Sequence, residues 1–451
     1  MDKYLLGLLM DSIRDMEALQ ECYNWQYCSL DKHIKEEIRK YIYGKCLDRF
    51  LLKVVTESEE IIITEEEQKV LDSILDDYNI VELDNGEKLV QYKIKKSFNP
   101  PKDYEMNPHK ARREYAKLAQ QLDIQNDSAI MMLLVRYENC ISGIYRFLLN
   151  NYPKAYLSNK SITYTELIEC STDIESIKAK FVEKEVDEFM RMPLSDWYKT
   201  FESKHKANFN YISEEMKAFR EIYYRRNIIV HNQGIANDIY VLNSGNKNVE
   251  IGDRLIVDNR YINSAFEITV KVLIGTLWGL RKLADDKENI CDELFDYGYR
   301  YLLEEKWELA KFINGLLLTD EDQSAADIMC ERVNRWIAIK NLEGVGEIND
   351  EVNALDVSAM GLQFVIAKYA LLDDFQKVSY YLEKAINDVL KPADIKEWPL
   401  LKQYRDSELY HEFVEKHASD FEIQGYANDD ETEGDEDALI AKMECQLDEE
   451  S

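Results

Sequence analysis

A chain of 451 residues is too long for one ordinary core and predicts two or three domains. Its 45% hydrophobic content can fill those cores, but 7 prolines and 16 glycines are too few turn residues for a strand-rich fold. A net charge of −31 excludes broad nonspecific binding to polyanions, while leaving room for a local basic pocket.

Residues 1–55 read as two amphipathic helices, with Asp31 as the cap of the second. Thr64 followed by Glu67 is a capping-box pattern that opens a helix through Leu75 and Ile80. Val81 to Val90 alternates around Asn85-Gly86, a hairpin signal. Helix plus hairpin also suits a winged-helix piece of a transcription regulator, a reading that the acidity disfavours against a small packing module. Asn99-Pro100-Pro101 breaks the pattern, so residues 1–100 form an N-terminal helical module with a hairpin.

Residues 101–285 form the central domain. Positive charge gathers at His109, Lys110, Arg112 and Arg113. A long buried helix runs from near Asp127 through Ile130, Leu133, Leu134, Tyr137, Ile141 and Ile144, and ends before Pro153. A second helix follows Ser171, with Phe181, Val182, Val186 and Phe189 on its apolar side. Leu194 to Phe201, including Trp197, is a short packing helix. A third long helix covers Tyr211 to His231 and stops at Gly234. Ile239 to Leu242 and Val249 to Val257 flank a Ser-Gly-Asn turn and predict a second hairpin. A last helix follows Asn263.

Residues 286–426 read as stacked helical hairpins: two helices around Glu304-Glu305-Lys306, then Ser324 to Leu342, Val357 to Leu372, and Phe375 to Leu390. Leu302 to Ala310 and Tyr380 to Ile386 resemble tetratricopeptide units. Residues 427–451 are too acidic and too poor in aromatics to fold alone, and are expected to be a disordered tail. The fold class expected is therefore mainly α.

The eight cysteines are scattered, with no Cys-x-x-Cys pair, as suits reduced thiols in a cytoplasmic protein. No leader and no run of 18 apolar residues occurs, so no membrane segment is expected. His411 and His417 lie six apart, which is no zinc spacing on one helix face, and no metal or cofactor is expected. Neither a Gly-rich phosphate loop nor a Gly-x-Ser-x-Gly elbow is present.

Chemistry concentrates on the third long helix. At about 100° per residue, Phe219, Ile222, Tyr223, Ile229 and Val230 fall within roughly 60° of Arg226. Arg226 is thereby expected in the apolar stripe, where a guanidinium needs an anion. Asn227 and His231 lie one turn apart at the edge of that stripe, beside Arg220 and Tyr224. Such a set suits RNA cleavage. The 2′-hydroxyl is a built-in nucleophile, an imidazole takes its proton, and an arginine fork stabilises charge on the phosphate. Asn227 would orient the imidazole or bind a phosphate oxygen.

Arg226-Asn227-Ile228-Ile229-Val230-His231 is similar to the HEPN signature of an Arg, a polar residue, several variable residues and a His. Two long helices before the motif and one after it, over about residues 125–285, also resemble a HEPN layout, with the 239–257 hairpin as an elaboration. The resemblance implies an all-α bundle and a homodimer in which Arg226 and His231 of two subunits form one composite site. It implies a metal-independent endoribonuclease of a toxin or defence system, with Arg226 and His231 catalytic and Asn227 assisting. Some members carry a Tyr two residues after the His that a nucleotidyltransferase modifies; Gln233 departs from that pattern. RNA is the expected partner, met by Arg220, Arg225, Lys204 and Lys206, and the C-terminal repeats are expected to bind a protein regulator. The competing reading pairs Arg226 with a carboxylate on another helix and leaves a catalytically silent HEPN and repeat scaffold.

Overall fold

Leu5, Leu9, Ile13 and Met16 recur at three- to four-residue steps and are all buried, which fixes the inner face of helix α1 (Lys3–Lys40). The helix runs straight through Asp31, whose carboxylate pairs with Lys35 at 2.5 Å rather than capping a new helix. The break comes at Tyr41, before α2 (Ile42–Thr56). The computed structural model describes residues 3–422, apart from 57, 59, 83–87, 101, 103, 159–160, 162, 164–173 and 284–286. The chain is mainly helical, and it divides into two compact units, Lys3–Leu277 and Trp278 onward. Among the described residues no helix is long and apolar enough to cross a membrane. The acidic tail expected over 427–451, the Asn85-Gly86 turn and the Ser171 helix start lie outside the described residues.

In the first unit, Thr64 and Glu67 form the capping box of α3 (Glu65–Ile74). That helix ends sooner than expected, because Leu75 is already extended and opens strand β1 (Leu75–Glu82). Strand β1 pairs antiparallel with β2 (Lys88–Ile94), setting Tyr78 opposite Tyr92 and Ile80 opposite Val90. Asn107 caps α4 (Pro108–Asn151), and Pro108 takes the first helical position, where no N–H is needed. The basic stretch around Arg112 and the apolar stretch around Leu133 are thus one helix of 44 residues. Helices α1 and α2 both pack along α4. Gly44 permits the second contact, since a Cβ there would lie 2.8 Å from that of Ala111.

After the short α5 (Pro153–Leu157), α6 (Ile174–Met190) and α7 (Leu194–His205) bring aromatic residues onto α4. Trp197 and Phe201 are fully buried, and the Trp197 indole donates to the Phe189 carbonyl at 2.8 Å. Helices α8 (Ser213–Asn232), α9 (Asp238–Asn243) and α10 (Asn259–Leu280) follow. The hydroxyls of Tyr137, Tyr198 and Thr276 form a buried chain with spacings of 2.9 and 2.7 Å, tying α4, α7 and α10 together.

The expected hairpin over 239–257 is not formed. Ile239 to Leu242 lies in α9, and the described segment makes a single antiparallel bridge, Ile235 to Arg254. The Asn237 carboxamide accepts from the Tyr240 N–H at 2.9 Å and starts a helix where the apolar run alone fits strand or helix.

The second unit is built from α11 (Lys287–Leu303), α12 (Trp307–Leu317), α13 (Ala325–Glu343), α14 (Asn349–Ala354), α15 (Leu362–Leu371), α16 (Phe375–Ala385), α17 (Pro392–Glu397), α18 (Lys402–Arg405), α19 (Glu408–Lys416) and α20 (Ala418–Glu422). Helix α12 packs between α11 and α13, and α15 packs on α16. The α11–α12 and α15–α16 turns close alike. Glu305 and Asp373 adopt positive φ of 57° and 56°, and the next N–H reaches back to Tyr301 and Tyr369 carbonyls at 2.9 and 3.0 Å. Helix α15 begins at Leu362, later than the expected Val357, and α16 ends at Ala385, before the expected Leu390.

Candidate active site on helix α8

Four buried residues of α8 mark its inner face: Phe219, Ile222, Arg225 and Ile228. Arg225, not Arg226, takes the inward slot that the wheel assigned to its neighbour. Its partners explain why. Arg225 Nε donates to Glu221 Oε1 at 2.7 Å, one turn back on the same helix, and Nη1 donates to the Ile256 carbonyl at 2.9 Å. Its guanidinium lies 4.3 Å over the Tyr261 ring. Glu221 also accepts from the hydroxyls of Tyr240 at 2.5 Å and Tyr261 at 2.8 Å. Burial holds the Tyr261 phenol well above its ordinary pKa, and burial with the bond to Glu221 raises Tyr240. These four side chains fasten α9 and the start of α10 to α8.

Arg226 is turned toward α4 and is partly buried. One terminal nitrogen pairs with Glu138, the guanidinium lies 5.3 Å from the Tyr223 ring centre, and its buried Nε has no hydrogen-bond partner. Asn227 is half-buried. His231 is exposed in the last turn of α8. The helix closes just beyond, with Gln233 and Gly234 at φ of 54° and 76° and the Gly234 N–H on the Ile228 carbonyl at 3.0 Å. Ile228, Ala236 and Tyr240 form a small core under this end, with Tyr224, Val241, Val249 and Leu255 packed around it.

Arg226, Asn227 and His231 thus share the last two turns of one helix, whereas the expected RNA-contacting cations do not gather around them. Arg225 is engaged inside. Arg220 is exposed on α8, two turns before Asn227. Lys204 is exposed and donates to the Ala155 carbonyl at 2.8 Å, and Lys206 forms the left-handed turn after α7. Both lysines precede the start of α8, whose length puts His231 about 27 Å further along the axis. Between them His205 meets the Tyr156 hydroxyl at 2.7 Å, and burial lowers its pKa.

Sequence reasoning did not find Glu138, Glu221, Tyr240 and Tyr261. Glu221 and Arg225 at i and i+4 were the available signal. Glu138, the one acid in the largely apolar stretch from Ile130 to Leu149, was the other. Among the described residues no group of three His, Cys, Asp or Glu side chains is arranged to hold a metal ion. His417 instead faces the carboxylates of Glu383 at 3.0 Å and Asp420 at 3.4 Å. No protein-family model matches the chain, and no curated protein and no solved structure matches it.

Proposed function

We propose that this protein is a HEPN-type, metal-independent endoribonuclease that works as a homodimer in the cytoplasm, as a toxin or defence effector. One observation carries the reading. An exposed imidazole and a half-buried amide share the end of a helix with an arginine whose side chain is 20% exposed, and whose five-donor fork meets Glu138 through one terminal nitrogen.

In the dimer two imidazoles face one phosphodiester. One His231 takes the proton of the 2′-hydroxyl as its oxygen bonds to phosphorus. The other protonates the departing 5′-oxygen as the P–O bond breaks, leaving a 2′,3′-cyclic phosphate and a 5′-hydroxyl. Arg226 offsets the charge that grows on the phosphoryl oxygens, and Asn227 orients the imidazole. The second unit is read as tetratricopeptide-like repeats that bind a regulator. Tyr301/Glu305/Trp307 and Tyr369/Asp373/Phe375 recur 68 residues apart with the same turn closure, and two 34-residue units give that spacing.

Purified protein with labelled total RNA in EDTA tests the proposal. Wild type is expected to give products ending in 2′,3′-cyclic phosphate, and His231→Ala to lose at least about a hundredfold in rate with the same dimer and melting temperature. Equal cleavage by both proteins would remove His231 from the chemistry.

A second reading is favoured by the Arg226–Glu138 pair, which answers the arginine's charge within one chain. It makes the domain a silent scaffold. On that reading Arg226→Ala lowers the melting temperature, His231→Ala does not, and neither protein nor wild type cuts RNA.

A further inference from the structure

A polar cleft of about 460 Å³ opens in the second unit, between α14, α15 and the start of α16. That volume is in the range of small-molecule sites. Its walls carry Asn349, Asn353, Lys368, Tyr369, Asp374 and Lys377. Two cations and one anion line it, on a chain whose net charge is −31. We infer that this cleft is a binding site for a small organic anion bearing a carboxylate or a phosphate.

The donors are fixed before a ligand arrives. Lys368 Nζ bonds the Asn353 and Leu355 carbonyls at 3.0 and 2.6 Å, at the end of α14. An ammonium has three N–H groups, so one is left to point elsewhere. Lys377 Nζ lies 2.7 Å from Asp374 and 4.5 Å from the centre of the Tyr369 ring. Asn353 Nδ2 is engaged by both oxygens of Asn349, at 2.9 and 3.0 Å. The Asn349 side chain is thereby oriented by the bond its Oδ1 accepts. With Lys368 and Lys377 against Asp374 the lining carries one net positive charge, which favours an anion. Preorganised side chains also lose little freedom on binding. Asp374 is the built-in competitor: its carboxylate holds Lys377 and is itself kept below its ordinary pKa by that bond.

Titration calorimetry on the full chain, at constant ionic strength, separates the two anion chemistries. Citrate and inorganic phosphate are titrated as probes, with glycerol as the neutral control. Saturable heat is expected from citrate or from phosphate, and none from glycerol. Lys377→Met should weaken that binding at least about tenfold without moving the melting temperature. Asp374→Asn should tighten it, because the amide can still cap α16 while the competing charge is gone. No saturable heat from either anion, or equal affinity in Lys377→Met, would overturn the assignment.

Discussion

Glu221 in the first unit and Glu331 in the second are both carboxylates on inward helix faces, and their surroundings are opposite. Glu221 accepts from Arg225, Tyr240 and Tyr261, so its charge is met by a cation and two hydroxyls. Glu331, 2% exposed, accepts one bond from the Gln323 amide, and its buried Oε2 has no partner. Burial pushes its pKa up to about 7, with Asp327 and Asp320 adding to the rise against the Gln323 bond. Depth alone does not set the charge of a buried acid; the donors that reach it do. The donor-rich carboxylate holds a fold together, whereas the donor-poor one makes its fold sensitive to pH.

The largest expected effect comes from removing the satisfied acid. Glu221→Ala leaves Arg225 buried without its carboxylate and two tyrosine hydroxyls without an acceptor. A loss of about 3–5 kcal/mol in urea unfolding is expected. A loss below about 1 kcal/mol would mean that the network is ornamental and the contrast false.

The next effect has the opposite sign. An unfolded glutamate titrates near 4.3, roughly. The folded state, with Glu331 at about 7, keeps a proton that the unfolded chain releases between those values. A raised folded pKa gives stability that is full below the unfolded value and is lost as pH climbs through the folded one. Glu331→Gln keeps the shape without titrating. Its stability relative to wild type should grow by about 2 kcal/mol between pH 5.5 and pH 8, at roughly 1.4 kcal/mol per pH unit. A constant difference across that range would show that Glu331 is ionised in the folded protein.

The same distinction between a local pattern and a distant partner separates what could be read in the sequence from what could not. The Thr64–Glu67 capping box, the strands on either side of Asn85-Gly86, the stop at Gly234 and the two helices around Glu304–Lys306 are all decided by neighbours within a few residues. Arg225 and Arg226 stand only one step apart on the wheel. Which one turns inward was settled by Tyr261 and the Ile256 carbonyl, more than thirty residues away. Ile239-Tyr240-Val241-Leu242 is one helical turn or four strand residues with equal ease. Tyr240 reaching Glu221 belongs to the helical choice. The lack of donors around Glu331 is likewise a property of packed helices that periodicity cannot contain.

The smallest stability effect, and the sharpest for the chemistry, belongs to Glu138→Gln. Arg226 and Glu138 side chains are 20% and 25% exposed, so water screens their attraction, and the amide oxygen can still accept from the guanidinium. A stability loss under about 1 kcal/mol is expected. The charge balance changes far more: Arg226 keeps its positive charge and loses the Glu138 carboxylate that offset it. If Arg226 serves a phosphate in RNA, the glutamine protein should bind RNA more tightly and cut it faster than wild type, with a steeper dependence on salt. If the pair exists only to join α8 to α4, RNA binding and cleavage are the same in both proteins, and the pair belongs with Glu221 and Arg225 as scaffold.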